Sequence, residues 1–450
     1  MKETDIKILD VKIDFEDYKY RAPYKFGGQI VDKVTLLNVY VIVENRSRNS
    51  STGFGSITLG NVWGWPGKTL TYDETLKAMK IQAKKIASII GRNKEYGHPV
   101  ELVFNMEKSW IAAGVAAAAE LRLPEEMPKL CALIAASAFD AAVHDAYGKV
   151  LNKNVYDCYS KKYMNQDISV YLDKRFKGEY LDKYTSRKPK ATIPLYHSVG
   201  AVDPLTKSDL KNPVKDGLPE ILSEWIERDG LTNLKIKLNG DDLKWDVSRV
   251  VEIERITARV QEKLGVKRWV YSLDFNEKCE NVDYLFDFLK YVKEKAPLAL
   301  DRVQCIEQPT SRDLKSNMHN KVHKIAKIKP VVIDEALVDY ESLLLAGELG
   351  YSGVALKACK GQSNALLMAA AAQKFKMFLC VQDLTCPGAS FLHSVGIAAR
   401  IPTVAGVEGN ARQYLPPSAY KIWSDKYPET FMVKKGRINT GVLVNPGLGH

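Results

Sequence analysis

Five short stretches decide how this chain is read: Leu234-Lys235-Ile236-Lys237, Leu273-Asp274-Phe275-Asn276-Glu277, Ile306-Glu307-Gln308-Pro309, Ile333-Asp334-Glu335 and Ala355-Leu356-Lys357. In each, an apolar run ends in ionisable residues. The strands of a parallel barrel carry branched apolar residues, and their C-terminal ends face the catalytic mouth, where polar residues belong. Lys235 and Lys237 are two apart and share one face of a strand. An ammonium group disfavours a second charge beside it, so the spacing predicts a lowered pKa for Lys237, as a lysine base at neutral pH needs. Taken alone, two solvated lysines at a strand end are the simpler reading.

Asp274, Glu307 and Asp334 follow three successive apolar runs. Singly, each is what a helix cap or a turn uses. Together at adjacent strand ends they repel, and burying them uncompensated is costly. A hard divalent cation resolves the repulsion, and an oxygen-only set favours Mg2+ over Zn2+. Lys357 ends the next run, with Lys360 just after it. On a barrel it faces Lys237 across the mouth; alone, it reads as a lysine paired with a carboxylate.

The five stretches sit in a longer series. Apolar runs recur at Ile193–His197, Leu234–Leu238, Trp269–Phe275, Val303–Glu307, Val331–Asp334, Gly353–Lys357, Met377–Val381 and Val404–Val407. Helical patterns such as Leu243–Leu264 and Tyr284–Lys295 separate them. Eight strand–helix units over ~240 residues match an α/β fold of the (β/α)8 TIM-barrel type. No GxGxxG and no P-loop occurs, so a nucleotide fold has no support. Upstream, Ile6–Phe15, Val34–Val43 and Phe54–Leu59 read as strands. Helices follow, one after Thr71 and a second over Pro128–Gly148. The expected organisation is an α+β unit over 1–150, a linker or insertion over 151–191 and the barrel over 192–414, with 415–450 returning to the first unit.

Composition sets the outer limits. The 450 residues are 46% hydrophobic and 26% charged, ordinary for a globular protein. The net charge of +11 is spread widely, without a basic stripe interleaved with aromatics, so no nucleic-acid partner is expected. No apolar run reaches the ~18–20 residues of a membrane span. Met1-Lys2-Glu3-Thr4-Asp5 has no apolar signal core, and a cytoplasmic location is expected. Seven cysteines without CxxC spacing read as reduced thiols.

The order Lys-x-Lys, Asp-x-Asn, Glu-Gln-Pro, Asp-Glu, Lys resembles the muconate-lactonizing-enzyme branch of the enolase superfamily. Phe139-Asp140-Ala141-Ala142 through Asp145-Ala146-Tyr147-Gly148-Lys149 resembles that family's helix leading into the barrel. Glu408-Gly409-Asn410 with Arg412-Gln413-Tyr414 resembles the segment after the eighth strand. The resemblance makes the N-terminal unit a capping domain. It implies that Asp274, Glu307 and Asp334 bind Mg2+, and that Lys237 and Lys357 are acid/base catalysts on opposite substrate faces. Lys235 would tune Lys237, and Asn276 would support the site. The implied chemistry is removal of the proton alpha to a substrate carboxylate through a stabilised enediolate. The fourth stretch, at the fifth barrel strand, continues Asp-Glu-Ala where many relatives have Ser third, and the Asp-x-Asp of dipeptide epimerases is missing after the eighth strand.

Two opposed lysines favour an isomerase: a racemase, epimerase or cycloisomerase. An acid-sugar dehydratase is the alternative. A non-catalytic barrel scaffold is the reading from another class, disfavoured because every carboxylate and lysine is present. The expected partner is a small carboxylate, and a homo-oligomer is expected. Tyr20–Gly28 and Gly60–Pro66 read as lid segments over the mouth or, equally, as packed turns. Substrate-contact candidates are Tyr24, Phe26, Trp63, Trp65, His197, Asp383 and Glu408.

Overall fold

Strand β1 (Ile6–Phe26) and strand β2 (Gln29–Asn45) pair antiparallel, and β3 (Ser50–Thr58) adds to the other edge of β2. The computed structural model describes residues 2–26 and 29–450, leaving aside the side chains of Phe26 and Pro417. Gly27 and Gly28, the end of the first lid segment, and the Phe26 side chain therefore lie outside the described residues.

Three long helices follow: two lie on this sheet and the other, Pro99–Glu120, packs against both of them. Tyr72–Arg92 opens with a reciprocal capping box between Thr71 and Glu74, the start signal its sequence carries. Pro99–Glu120 is a helix that the sequence reading passed over. Lys129–Val150 is the predicted second helix, and it lies directly on β3. Glycine makes that approach possible: a Cβ on Gly53 would meet Ala142 O at 2.1 Å, and one on Gly55 would meet Ala138 O at 2.0 Å. Lys129–Val150 is also the one described helix long and apolar enough to cross a membrane by length and composition. The qualifying window is 100% buried in the protein, as befits a core helix.

The barrel strands are β4 (Thr192–Val199), β5 (Asn233–Lys237), β6 (Val270–Asp274), β7 (Val303–Glu307), β8 (Val331–Ile333), β9 (Gly353–Lys357), β10 (Phe378–Gln382) and β11 (Val404–Glu408). Neighbours pair in parallel in sequence order, and β11 pairs back onto β4, which closes the ring. All eight predicted runs form these strands. Inside, Tyr196, Cys305, Val332, Ala355 and Cys380 form a packed apolar layer. A short strand β12 (Arg437–Asn439) pairs antiparallel with the start of β4. The tail then reaches the cap, where Asp145 accepts from Leu448 N at 2.9 Å and from Phe54 N at 2.8 Å.

The segment expected as a linker is folded. It holds four 3-10 turns between Val155 and Lys183, and it buries Tyr156, Tyr159, Phe176 and Tyr184. Its aromatic side chains lack helical spacing, which is why no element was legible there. All seven cysteines are free and buried, as expected of reduced thiols.

Burial pulls His98, His393 and His450 down to about 3. An unfolded chain holds such residues near pH 6.5. Between those values the unfolded state binds more protons, so stability is present above about pH 6.5 and is lost as pH falls toward 3. Each histidine adds a slope of about 1.4 kcal/mol per pH unit across that window. Denaturant titrations at stepped pH should show this fall, and His393→Gln should make it shallower by one proton. A stability constant from pH 6.5 to 4 contradicts the assignment.

Candidate active site

The second to sixth barrel strands deliver the charged residues to one place. Register puts Lys235 beside Ser198 and Ser272, and Lys237 beside Asp274, which is beside Glu307. Asp334 follows β8 directly. Lys357 ends β9, which lies across the ring from β5. All five of Lys235, Lys237, Asp274, Glu307 and Asp334 are buried, as is Lys357.

Lys235 is the hub. Its ammonium lies 2.8 Å from Glu307, 3.0 Å from Asp274 and 3.1 Å from Glu408, and it donates to Gln382 Oε1 at 3.0 Å. Gln382 in turn donates to Glu307 Oε2. Lys237 donates to Asp274 Oδ2 at 2.5 Å. On the far side, Lys357 meets Asp334 Oδ2 at 2.9 Å and Lys360 meets Asp334 Oδ1 at 3.2 Å. Each catalytic candidate is thus tied to a different carboxylate of one set.

These pairings set the protonation states. Burial opposes charge on Asp274 and on Asp334, but the lysines overcome it and hold both carboxyls below their ordinary range, Asp334 at about 2. Burial and the charge of Asp274 push Glu307 the other way, upward, against the pull of Lys235. The expected lowering of Lys237 is overturned. Burial and Lys235 do pull it down, but Asp274 at contact distance outweighs them, and Lys237 is held above its ordinary value. Lys357 is likewise raised, by Asp334 against burial. Of the four lysines, Lys360 is the one pulled down, by burial and then Lys357.

The backbone at the strand ends is strained. Asn276, Glu277, Gln308 and Thr385 take φ values of 45°, 64°, 27° and 53°. Non-glycine residues rarely sit there, and each position costs about 1–3 kcal/mol. The turn after β6 brings Asn276 N within 2.8 Å of Asp274 Oδ1 and its side-chain amide to 3.4 Å from Glu335. Gln308 Oε1 accepts from Asp334 N at 3.0 Å and Ala336 N at 3.2 Å, which fixes the start of the loop carrying Asp334. Burial raises Glu335 to about 7, and its Oε2 has no hydrogen-bond partner among the described residues.

The remaining candidates divide. Glu408 touches Lys235. Asp383 is buried, feels Glu408, Lys357 and Lys235, and is raised to about 8 by burial first and Glu408 second. Two cap residues arrive from above. Tyr24 is buried with its ring 4.6 Å from that of Tyr414, and Lys237 acts on its charge. Trp63 donates its indole N–H to Glu335 Oε1 at 2.9 Å, and the Lys357 ammonium lies 4.1 Å from its ring centre. Trp65 is buried in the core, and no hydrogen bond ties its indole to the site among the described residues.

His197 is corrected. It pairs in register with Leu234, so it faces the outer layer while Ser198 faces inward with Lys235. Its ring packs 5.2 Å from Trp225, and Nδ1 lies 2.7 Å from the Arg412 guanidinium. Period-two alternation along β4 carries this distinction, but only once the strand's phase is known. Gln308, Lys360 and Glu335 are quoted in the sequence reading without a role, and Gln382 directly follows its seventh run. Their signal is position alone, at or just past a barrel strand end.

A cavity of about 330 Å³ opens beside Lys237, lined also by Lys25, Asn239, Asn276, Lys278 and Asp241. As for a metal, no three of His, Cys, Asp and Glu are gathered into a ready-made cluster among the described residues; lysines pair with the carboxylates instead. The donor chemistry nevertheless fits a hard cation: three buried, mutually repelling carboxylates on adjacent strands, with no nitrogen or sulfur among them.

Residues 218–450, which hold all five opening stretches, match the family described as enolase C-terminal domain-like. The chain belongs to that family. Solved structures share the enolase-like fold over nearly the full length. A dipeptide epimerase from Cytophaga hutchinsonii, complexed with Mg and D-Ala-L-Val, is 16% identical; the match covers 98% of this chain and 95% of that one, with a TM-score of 0.61. A muconate lactonizing enzyme from Pseudomonas fluorescens, complexed with muconolactone, is 15% identical over 98% of this chain and 96% of that one, with a TM-score of 0.57. A racemase from Streptomyces coelicolor A3(2), with bound magnesium, is 17% identical over 98% and 96%, with a TM-score of 0.58. At these identities the likeness speaks to the fold. A sequence search of curated proteins gave no match.

Proposed function

We propose that this enolase-family chain is a Mg2+-dependent isomerase, a racemase, epimerase or cycloisomerase, that removes the proton alpha to a substrate carboxylate and either returns one on the opposite face or lets the resulting enediolate rearrange in a cycloisomerisation. One observation carries the reading: two buried lysines stand on strands across the barrel, each paired with a different carboxylate of a single set. Asp274 and Asp334 raise both lysines here; Lys237 would be the base on one face and Lys357 on the other once Mg2+ takes up the charge of those carboxylates. Each moves a proton at its Nζ, and the paired carboxylates Asp274 and Asp334 keep the two ammonium groups aimed into the mouth. Lys235 offsets the charge of Glu307 and Glu408, and Gln308 anchors the loop that presents Asp334. Asp274, Glu307 and Asp334 would hold Mg2+, which supplies positive charge to the dianion that proton removal leaves. The magnesium named with the epimerase and the racemase supports this cofactor.

The decisive experiment is a panel of 2-hydroxy, 2-amino and polyhydroxy acids incubated with the enzyme and Mg2+ in D2O, scored by NMR for loss of the alpha proton. A panel that shows no exchange contradicts the reading. A dehydratase is the second reading. The cavity beside Lys237 favours it, since most of its lining residues are polar or charged and suit a hydroxylated acid. Formation of a keto acid in the same tubes separates the two.

Asp274→Asn should weaken Mg2+ binding at least tenfold in calorimetric titration, because one of three anionic ligands is lost. An unchanged isotherm contradicts the ligand set.

A further inference from the structure

We infer that Trp63 of the cap is the positioning residue for Lys357 and so controls proton transfer on one substrate face alone. The inference rests on the two-lysine reading above. One hydrogen bond holds the indole and a second holds the Trp63 backbone. The indole N–H donates to Glu335 Oε1 at 2.9 Å, the Trp63 backbone carbonyl accepts from Arg312 Nη1 at 3.1 Å, and Arg312 is clamped by Glu277. Trp63 is 3% exposed, so the ring has little freedom to swing away. Lys357 Nζ lies 4.1 Å from the ring centre and 2.9 Å from Asp334, held between an aromatic face and a carboxylate. Lys360 lies further out, at 5.7 Å from the same ring.

A lysine has four rotatable side-chain bonds and one point of charge, so a single ion pair leaves its ammonium free to pivot. A ring face on the other side removes that freedom and attracts the cation as well. Glu335 and Arg312 stand on the barrel and Trp63 on the cap, so the ring reaches its place only when cap and barrel are docked. The described cap residues near Lys237 are Tyr24 and Lys25, both on β1, whereas Trp63 lies on the short helix Asn61–Gly64. The two lysines are therefore served by separate segments of the cap, and disturbing one need not disturb the other.

The test uses the full chain with Mg2+ and two variants, Trp63→Leu and Trp63→Phe, read in two ways. In lysine-selective 13C spectra, Lys357 should stand apart through the ring current of Trp63; Lys357→Arg assigns its signal. Trp63→Leu should return that signal to the ordinary lysine region, and Trp63→Phe should leave part of the displacement. In face-resolved exchange with any acid active in the D2O panel, Trp63→Leu should lower kcat on the Lys357 face by tenfold to about 10²-fold, since a misplacement of ~1 Å costs that much. KM and exchange on the Lys237 face should hold within twofold, and Trp63→Phe should recover part of the loss. Should Trp63→Leu fail to fold, Glu335→Gln weakens the indole's acceptor without touching the core and should give a smaller, equally one-sided loss. A Lys357 signal unmoved by Trp63→Leu overturns the inference. So does an equal loss on both faces, or a raised KM with kcat unchanged, which marks a substrate wall. Wild-type enzyme that exchanges no acid contradicts the proposed function, while the spectra still decide the placement of Lys357.

Discussion

Replacing Lys235 with methionine should destabilise the protein by about 3–5 kcal/mol, the usual effect of removing one partner from a buried ionic group. The argument is geometric. One ammonium serves three carboxylates, Glu307 at 2.8 Å, Asp274 at 3.0 Å and Glu408 at 3.1 Å, in a volume sealed from water. Methionine fills nearly the same space, so packing changes little and the loss isolates charge. Glu307 already sits above its ordinary range, and without Lys235 it must take up a proton or open the barrel mouth, while Glu408 loses its counter-charge. Denaturant unfolding of Lys235→Met against the wild type measures the difference. The double variant Lys235→Met/Glu408→Gln should recover part of it, because one of the stranded charges is gone. A loss below about 1 kcal/mol would mean the site is wetter than its burial indicates.

The second large effect concerns chemistry. Lys237→Ala and Lys357→Ala should each remove deuterium exchange on one face of the substrate by about 10²–10⁴-fold, the contribution of a well-placed acid/base group. Each should leave the other face active and the fold intact, since Asp274 keeps Lys235 and Asp334 keeps Lys360 as counter-charge. Assay of both product stereoisomers in D2O distinguishes the faces. Parallel losses on both faces in either variant contradict the two-base scheme. If Lys357→Ala alone matters, a one-base dehydration becomes the better account.

Much of the barrel was legible because its strands are mostly buried, so they appear as apolar runs, and two of them, Val303–Glu307 and Gly353–Lys357, begin and end where read. The charged strand ends were legible for the same reason: an ionisable residue interrupting such a run stands out. Helix Pro99–Glu120 was missed because its alanine-rich sequence shows no clear polar face, and its packing against other helices defines it instead. The protonation of Lys237 was misjudged because the sequence shows its neighbour along the strand, Lys235, but not its neighbour across the sheet, Asp274. The same blindness to phase placed His197 in the mouth when Ser198 holds that side of β4. Trp63 was picked out as an aromatic near a glycine-bounded turn, yet its partners lie on loops hundreds of residues away.

The last strand of the chain carries a consequence for how this molecule is built. β12 lies against the opening of β4, and the residues after it reach Asp145 on the long cap helix. Asp145 is buried, and two of its hydrogen bonds come from backbone N–H groups of Phe54 and Leu448, remote from it in sequence. During synthesis, then, the cap helix emerges well before Leu448, the second backbone donor to that carboxylate, and the first barrel strand waits for the eighth to close the ring. Such long-range dependence makes for slow, late-committing assembly, in which the interface housing the lysines is sealed near the end of the process.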